Sequence, residues 1–429
     1  MGRFRQFRNA KLSIWQSAAD SVVAERTGEA GRPDLEDPII GAATELAARI
    51  DAGQTSSRLV SLASPATMDA AEAMLYCARL TMALGEAKAA ARARDVERFR
   101  AELDPETGLC DAEWSEVAEK YASRLVFHLG DVPYRRHQSL SDFIIEDALP
   151  ANARVALVSQ LGTGSSGASR VLKQIAARKP DVLIHLGDIY YSGTTFEVER
   201  YFLAPLREHL DLSETRCFSL CGNHDAYSGG TGYYDTLLPA LSQPASYFCL
   251  RNDHWQFIGL DTGLHARIPG RGPTYLEDSE AEWLRDKLRT AGNRQTVLLS
   301  HHQLFSAFES IGETYYNDSL YTQVADLIEE IALWIWGHEH RLAIYDAFDP
   351  LQPSLGRARS IGRGVEGSAA SPVFPEVRIK LHEELAEDAY AYAIVELQDA
   401  GARVEYFIDT GEGKPLFDET IGAFALRAR

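Results

Sequence analysis

The sequence lacks any run of about 18 uncharged apolar residues, the length that a helix needs to cross a bilayer, so no membrane span is expected. The first residues, Met-Gly-Arg-Phe-Arg-Gln-Phe-Arg, are basic, but no apolar stretch follows them and no secretory signal is expected. Cysteine is scarce: Cys77, Cys110, Cys217, Cys221 and Cys249 form an odd, scattered set in 429 residues. That set does not make a disulfide framework and fits reduced thiols in a cytoplasmic protein. Cys217 and Cys221 have no second pair nearby, so they read as buried strand thiols rather than a zinc knuckle. Positive charge is also short. Against 62 Asp and Glu stand 43 Lys and Arg, a net charge of −19, which repels nucleic-acid backbones and anionic lipids. A small anionic substrate remains compatible where a metal supplies local charge.

What is present is enough apolar residue, 45% of the chain, for a substantial core, in a length that suggests two units. Residues 1–150 read as a helical region. Periodic Ala- and Leu-rich stretches run over 39–50, 67–91 and 111–129, with Gly/Ser/Pro breaks between them. No chemical motif occurs there; the stripes are packing surfaces, with oligomerisation or partner binding open as a role. From Arg154 the pattern changes, and residues 151–429 read as a second, α/β unit. Short apolar strands are expected at 155–158, 182–186, 217–220, 255–260, 296–299 and 333–336, and helices at about 168–178, 277–290 and 320–330. Two further strands, 390–397 and 402–408, flank a turn at Asp399–Gly401.

Four short motifs each follow an expected strand: Gly187-Asp188-Ile189-Tyr190-Tyr191, Gly222-Asn223-His224-Asp225, Ser300-His301-His302 and Gly337-His338-Glu339-His340. Ligand sites in open α/β sheets gather at the carboxyl ends of strands. Carboxylate, amide oxygen and imidazole together are donors for Zn, Fe or Mn, and one Asp can bridge two such ions. A lone His after a strand is usually structural and a lone Gly-Asp is a turn, so the weight rests on all four together.

With these residues in view, the chain resembles the calcineurin-like metallophosphoesterases, and its Gly-Asp-x-x-Tyr form resembles their purple acid phosphatase branch. The resemblance covers about residues 150–350, and the strand-rich tail to about 422 is expected to complete the same sandwich. It implies a four-layer αββα fold and one or two metal ions. It implies that Asp188 bridges the metals, that Tyr191 and His340 bind the first, and that Asn223, His301 and His338 bind the second. His224 would be the acid near the leaving group, oriented by Asp225. The implied activity is hydrolysis of a phosphate monoester or diester, with a nucleotide among the candidate substrates.

One position departs from that pattern. Where the family has Asp-x-Gly or Asp-x-His, this chain has Ser159-Gln160-Leu161-Gly162. The neutral amide of Gln160 binds a hard cation more weakly than a carboxylate does, so an impaired enzyme, or a degenerate one that binds a ligand or partner, is the competing expectation. A remote alternative lies in the same loop, where Gly162–Gly167 matches a dinucleotide fingerprint with Asp188 about 20 residues on; a dinucleotide oxidoreductase would leave the later His motifs unexplained. Among other residues, His185 reads as packed inside a strand, Tyr190 as core or a support behind the ligands, and His302 as pointing away from His301. His265 is a weaker candidate for reaching substrate.

Overall fold

The computed structural model describes residues 10–27, 94, 132–162, 165–266, 273–348, 354–365 and 371–422. The chain divides into two compact units, Met1–Asp131 with Tyr227–Gly229, and Val132–Ala226 with Gly230–Arg429. In the first, Ala10–Thr27 forms an 18-residue helix. Its polar Ser13, Ser17 and Asp20 are as buried as its Ile14, Trp15 and Ala18. The helical stretches expected at 39–50, 67–91 and 111–129 lie outside the described residues. No helix among the described residues is long and apolar enough to cross a membrane.

The second unit holds two sheets. One has six strands in the order β14-β13-β12-β2-β3-β4 and the other eight, in the order β1-β5-β6-β7-β8-β10-β9-β11. The strands are β1 (Ile144–Ile145), β2 (Arg154–Val158), β3 (Val182–His185), β4 (Arg216–Ser219), β5 (Phe248–Arg251), β6 (Trp255–Gly259) and β7 (Gln295–Ser300). They continue with β8 (Ile331–Trp336), β9 (Leu342–Tyr345), β10 (Ala358–Ile361), β11 (Ile379–Glu383), β12 (Ala391–Gln398), β13 (Gly401–Ile408) and β14 (Phe417–Ile421). The central runs are parallel: β2-β3-β4 in one sheet and β6-β7-β8-β10 in the other.

Parallel strands covered on both faces must be apolar on both faces, which is why they read as continuous apolar runs. In β2, Val155 and Leu157 enter the layer between the sheets, while Ala156 and Val158 face the helix Ser166–Ala177 through its Val171, Leu172 and Ile175. In β7, Val297 and Leu299 point inward and Leu298 faces Trp283 and Leu284 of the helix Asp278–Arg289. Helix, sheet, sheet and helix thus form four layers around an inter-sheet core. Each fully buried Val, Leu or Ile contributes roughly 1.5–3 kcal/mol of transfer free energy.

The GxGxxG loop does not work as a dinucleotide cradle. The helix Ser166–Ala177 begins against the Asp388 carboxylate, which accepts the Gly167 N–H at 3.0 Å and the Ser165 hydroxyl at 2.6 Å. An internal anion already holds the position at which a pyrophosphate would sit. Cys217, Cys221 and Cys249 are buried free thiols; Cys77 and Cys110 lie outside the described residues.

Candidate metal centre

The carboxyl ends of β2, β3, β4, β7 and β8 share one edge, and the turns leaving them carry the four motifs. Nine non-glycine residues have positive φ among the described residues, and four of them are Gln160, Asp188, His338 and His340. Left-handed backbone is unfavourable for a side-chain-bearing residue and collects where a site demands it. The packing explains the flanking glycines. A Cβ on Gly222 would lie 2.1 Å from Asp188 Oδ1, and one on Gly187 would lie 2.7 Å from His301 Nδ1.

Asp188, His301 and His338 converge. His301 Nε2 is 3.2 Å from Asp188 Oδ2 and 3.2 Å from His338 Nδ1. His301 Nδ1 donates to the Leu186 carbonyl at 2.8 Å, so in neutral His301 the Nε2 lone pair is aimed at a carboxylate oxygen. A proton or a metal ion placed among these atoms would satisfy them. The electrostatics agree. Burial raises the Asp188 carboxyl, but His301, His224 and His338 outweigh it and hold Asp188 well below the usual carboxylate range. Burial lowers His301, yet Asp188 outweighs it and raises that imidazole above its ordinary value. A ring nitrogen held by a carbonyl behind it is how metal-ligating histidines are oriented. The donor set therefore fits a divalent metal. Asn223, buried beside His224 at the start of the short helix Asn223–Tyr227, adds an amide to the same turn.

The remaining expected residues are placed as follows. His224 donates its backbone N–H to Asp188 Oδ1 at 3.0 Å and its Nδ1 proton to the Tyr191 carbonyl at 2.6 Å. Asp225 does not orient it. The Asp225 carboxylate turns back to accept the N–H groups of Gly222, Asp188 and Ile189 at 2.7, 2.8 and 2.9 Å, so it ties two motif turns together. Burial and the neighbouring Asp188 push it up to about 7. Tyr191 is buried and gives its backbone N–H to Glu197 at 2.7 Å. The hydroxyl that reaches Asp188 Oδ2, at 3.1 Å, is that of Tyr190. Its ring also lies 4.6 Å from the ring of His224. His302 does not point away: His301, His302 and His338 offer ligand nitrogens that all lie within 4.8 Å of one another. His265 pairs with Glu277 at 2.9 Å and stacks on Tyr275, a structural role.

Gln160 sits opposite His340. Its Nε2 is 3.3 Å from His340 Nε2, and its Oε1 accepts the Arg363 N–H at 2.7 Å. His340 Nδ1 donates to the Arg363 carbonyl at 3.0 Å, so His340 Nε2 is the acceptor for the Gln160 amide. The position that the resemblance gives to a first metal is spanned by this hydrogen bond.

Glu339 explains why His338 and His340 are presented together. Its carboxyl, buried between them, accepts the Ser306 hydroxyl, the Trp336 indole N–H at 2.6 Å and the Tyr345 hydroxyl at 2.9 Å. Burial, and then Glu309, raise its pKa. Glu339→Ala should leave three buried donors without an acceptor, each costing about 1–3 kcal/mol, and should loosen both histidines. A loss of several kcal/mol in the unfolding free energy from urea titration, together with weaker metal binding, is expected, with Glu339→Gln keeping most of both. A variant that binds metal as the wild type does would refute this anchoring role.

His185 is structural, as its place inside β3 suggested. Its Nε2 accepts the Leu161 N–H at 3.2 Å and its Nδ1 proton goes to Ser219 at 3.0 Å. Burial lowers its pKa from 6.5 to about 3. The unfolded chain therefore takes up a proton through the ordinary range of His while the folded chain does not, and stability falls as pH falls. Between pH 7 and pH 5 this group should remove about 2 kcal/mol. His185→Gln should flatten the pH dependence of the unfolding free energy from urea titration by that amount; parallel profiles would count against the assignment.

Residues 153–342 match the family model described as calcineurin-like phosphoesterase. No curated protein sequence matches the chain. Among solved structures, a purple acid phosphatase isolated from yellow lupin (Lupinus luteus) seeds is 14% identical, over 64% of this chain and 54% of that one, with a TM-score of 0.46. This chain thus spans about half the length of the lupin protein. The anchor in the inner membrane complex of Plasmodium is 13% identical over 64% of this chain and 90% of that one, with a TM-score of 0.45. A dimetal phosphatase from Danio rerio is 12% identical over 63% and 99%, with a TM-score of 0.42. The two-sheet sandwich, the motif turns on one edge and the family match over residues 153–342 agree, and that segment is similar to the calcineurin-like phosphoesterases.

Proposed function

We propose that the chain hydrolyses a phosphate monoester or diester with one divalent ion, Mn, Zn or Fe, held by Asp188, Asn223, His301 and His338. The observation that supports this reading is the meeting of His301 Nε2 with Asp188 and His338 at 3.2 Å, a cluster of carboxylate and imidazole donors suited to a cation. A bound ion neutralises phosphoryl oxygens and lowers the pKa of water toward about 7. The chain's own residues do the rest. Asp188 and the imidazoles would hold the ion at the edge of the sheets. His224, its Nδ1 fixed on the Tyr191 carbonyl, has Nε2 as the atom that protonates or stabilises the leaving oxygen. The Tyr190 hydroxyl, on Asp188 Oδ2, fixes the carboxylate's orientation.

The closure of Gln160 on His340 and Arg363 favours a second reading, in which the domain binds a phosphate ligand or a partner and turns over slowly or not at all. Metal content per chain, measured with a panel of monoester, diester and nucleotide substrates, separates the two. About one ion per chain with metal-dependent hydrolysis supports the enzyme; one ion without hydrolysis of any substrate supports the binding protein. A chain that takes up no Mn, Zn or Fe contradicts the enzyme reading.

A further inference from the structure

We propose that His302 is an additional imidazole ligand of the ion held by His301 and His338. The proposal rests on the metal-dependent reading above and adds a donor to that site. His302 is the third corner of the imidazole group, with its ring 4.8 Å from that of His301 and 4.6 Å from that of His338, which lie 5.1 Å apart. Its surroundings are those of a held ligand. Its Nδ1 lies 3.0 Å from Thr262 Oγ1, the same hydroxyl accepts its backbone N–H at 3.0 Å, and its carbonyl accepts the Ser300 hydroxyl at 2.7 Å. Nδ1 is thus engaged on the protein, and Nε2 is the ligand atom. Orientation of a ligating imidazole through its other nitrogen is a general feature of metal sites.

The second observation is what holds Thr262. Its carbonyl accepts the Thr274 hydroxyl at 2.6 Å. The preceding Asp261 accepts the N–H groups of Gly263 and Leu264 at 3.1 and 3.0 Å and the Tyr234 hydroxyl. The Asp261 N–H in turn donates to Glu280 at 2.8 Å, and Glu280 also accepts the Tyr134 hydroxyl at 2.8 Å. Asp261 and Glu280 are fully buried carboxyls, which are costly to keep in a core unless every member is satisfied. This network fixes one turn, and the side chain that turn presents to His302 is the Thr262 hydroxyl. A histidine that only filled space would need no such support. Imidazole-rich sets favour Zn or Fe over magnesium, and Mn serves as the paramagnetic probe of the same site.

The test uses the full chain stripped of metal and titrated with Mn. Calorimetry reads affinity, and pulsed EPR of the Mn-loaded protein counts coupled imidazole nitrogens. His302→Ala should show one imidazole fewer than the wild type and bind Mn at least about tenfold more weakly. Thr262→Val should keep the imidazole count and weaken binding by about 10–100-fold, the usual effect of removing a partner behind a ligand. His302→Gln serves in place of His302→Ala should the latter melt early. An unchanged count and affinity on replacing His302, with both lost in His338→Ala, overturns the proposal and leaves the metal site intact. A wild-type chain that binds no Mn overturns the proposal and the metal reading together.

Discussion

His338→Ala is expected to empty the centre of its ion and abolish metal-dependent hydrolysis. Loss of a partner behind a ligand already weakens metal binding by about 10–100-fold, and loss of a ligand should exceed that, to roughly 100-fold or more. His338 sits in left-handed backbone, and its Nδ1 is 3.2 Å from His301 Nε2. Removing it takes one wall from the acceptor cluster around Asp188. His301 and Asp188 would then meet without a third partner, and a shared proton would satisfy them in place of a metal. The fold should persist, because His338 is partly exposed at the sheet edge and substitutions at such positions usually change stability by no more than about 0.5 kcal/mol. Elemental analysis at controlled free metal, with a thermal melt as the check on folding, gives the answer. Full occupancy in a folded variant would remove His338 from the ligand set.

Gln160→Asp is expected to act in the opposite direction, adding an ion and raising the rate. The Gln160 amide donates to His340 Nε2 and so occupies the lone pair that a first metal would need. An aspartate has no donor to offer. Its carboxylate and the His340 lone pair would face each other as two acceptors, the arrangement already seen at His301 and Asp188, and one that favours a cation between them. Unit charges 4 Å apart attract by about 4 kcal/mol at an effective dielectric of 20. Desolvation offsets part of this, and about a hundredfold gain in affinity at this position is the expected scale. Without metal the variant should be less stable than the wild type, because a buried acceptor pair is left unsatisfied. Added Mn or Zn should therefore raise its melting temperature by more than it raises that of the wild type. Equal stoichiometry, equal melting response and equal rates in the two proteins would show that position 160 faces no metal.

Much of the framework was legible in the sequence because its signals are local. The strands β2, β3, β4, β6, β7 and β8 are buried on both faces, so each appears as an apolar run whatever its neighbours are. β12 and β13, joined by a tight turn, were legible for the same reason. Strands β1, β5, β9, β10, β11 and β14 were not read. They are short or lie toward sheet edges; β11 is only partly buried and β14 alternates between partly buried and exposed, so the segments carry little apolar signal of their own. The residue types of the centre were equally legible, since Asp188, Asn223, His301, His338 and His340 each close a strand.

By itself, then, the sequence determined the layered α/β sandwich and the edge at which its polar residues gather. Apolar periodicity and the punctuation at strand ends are properties of short segments. The tertiary structure alone decided how each side chain at that edge is used. The period of two ends with β7 at Ser300, so the alternation that would send His302 away from His301 no longer applies beyond it. Asp225 turns to three backbone N–H groups because Gly187 and Gly222 let the first and second motif turns approach within hydrogen-bonding distance. Tyr190 rather than its neighbour delivers a hydroxyl to Asp188. Each of these outcomes depends on left-handed turns and on contacts between segments tens of residues apart. Pattern in a single strand or helix carries no record of such contacts.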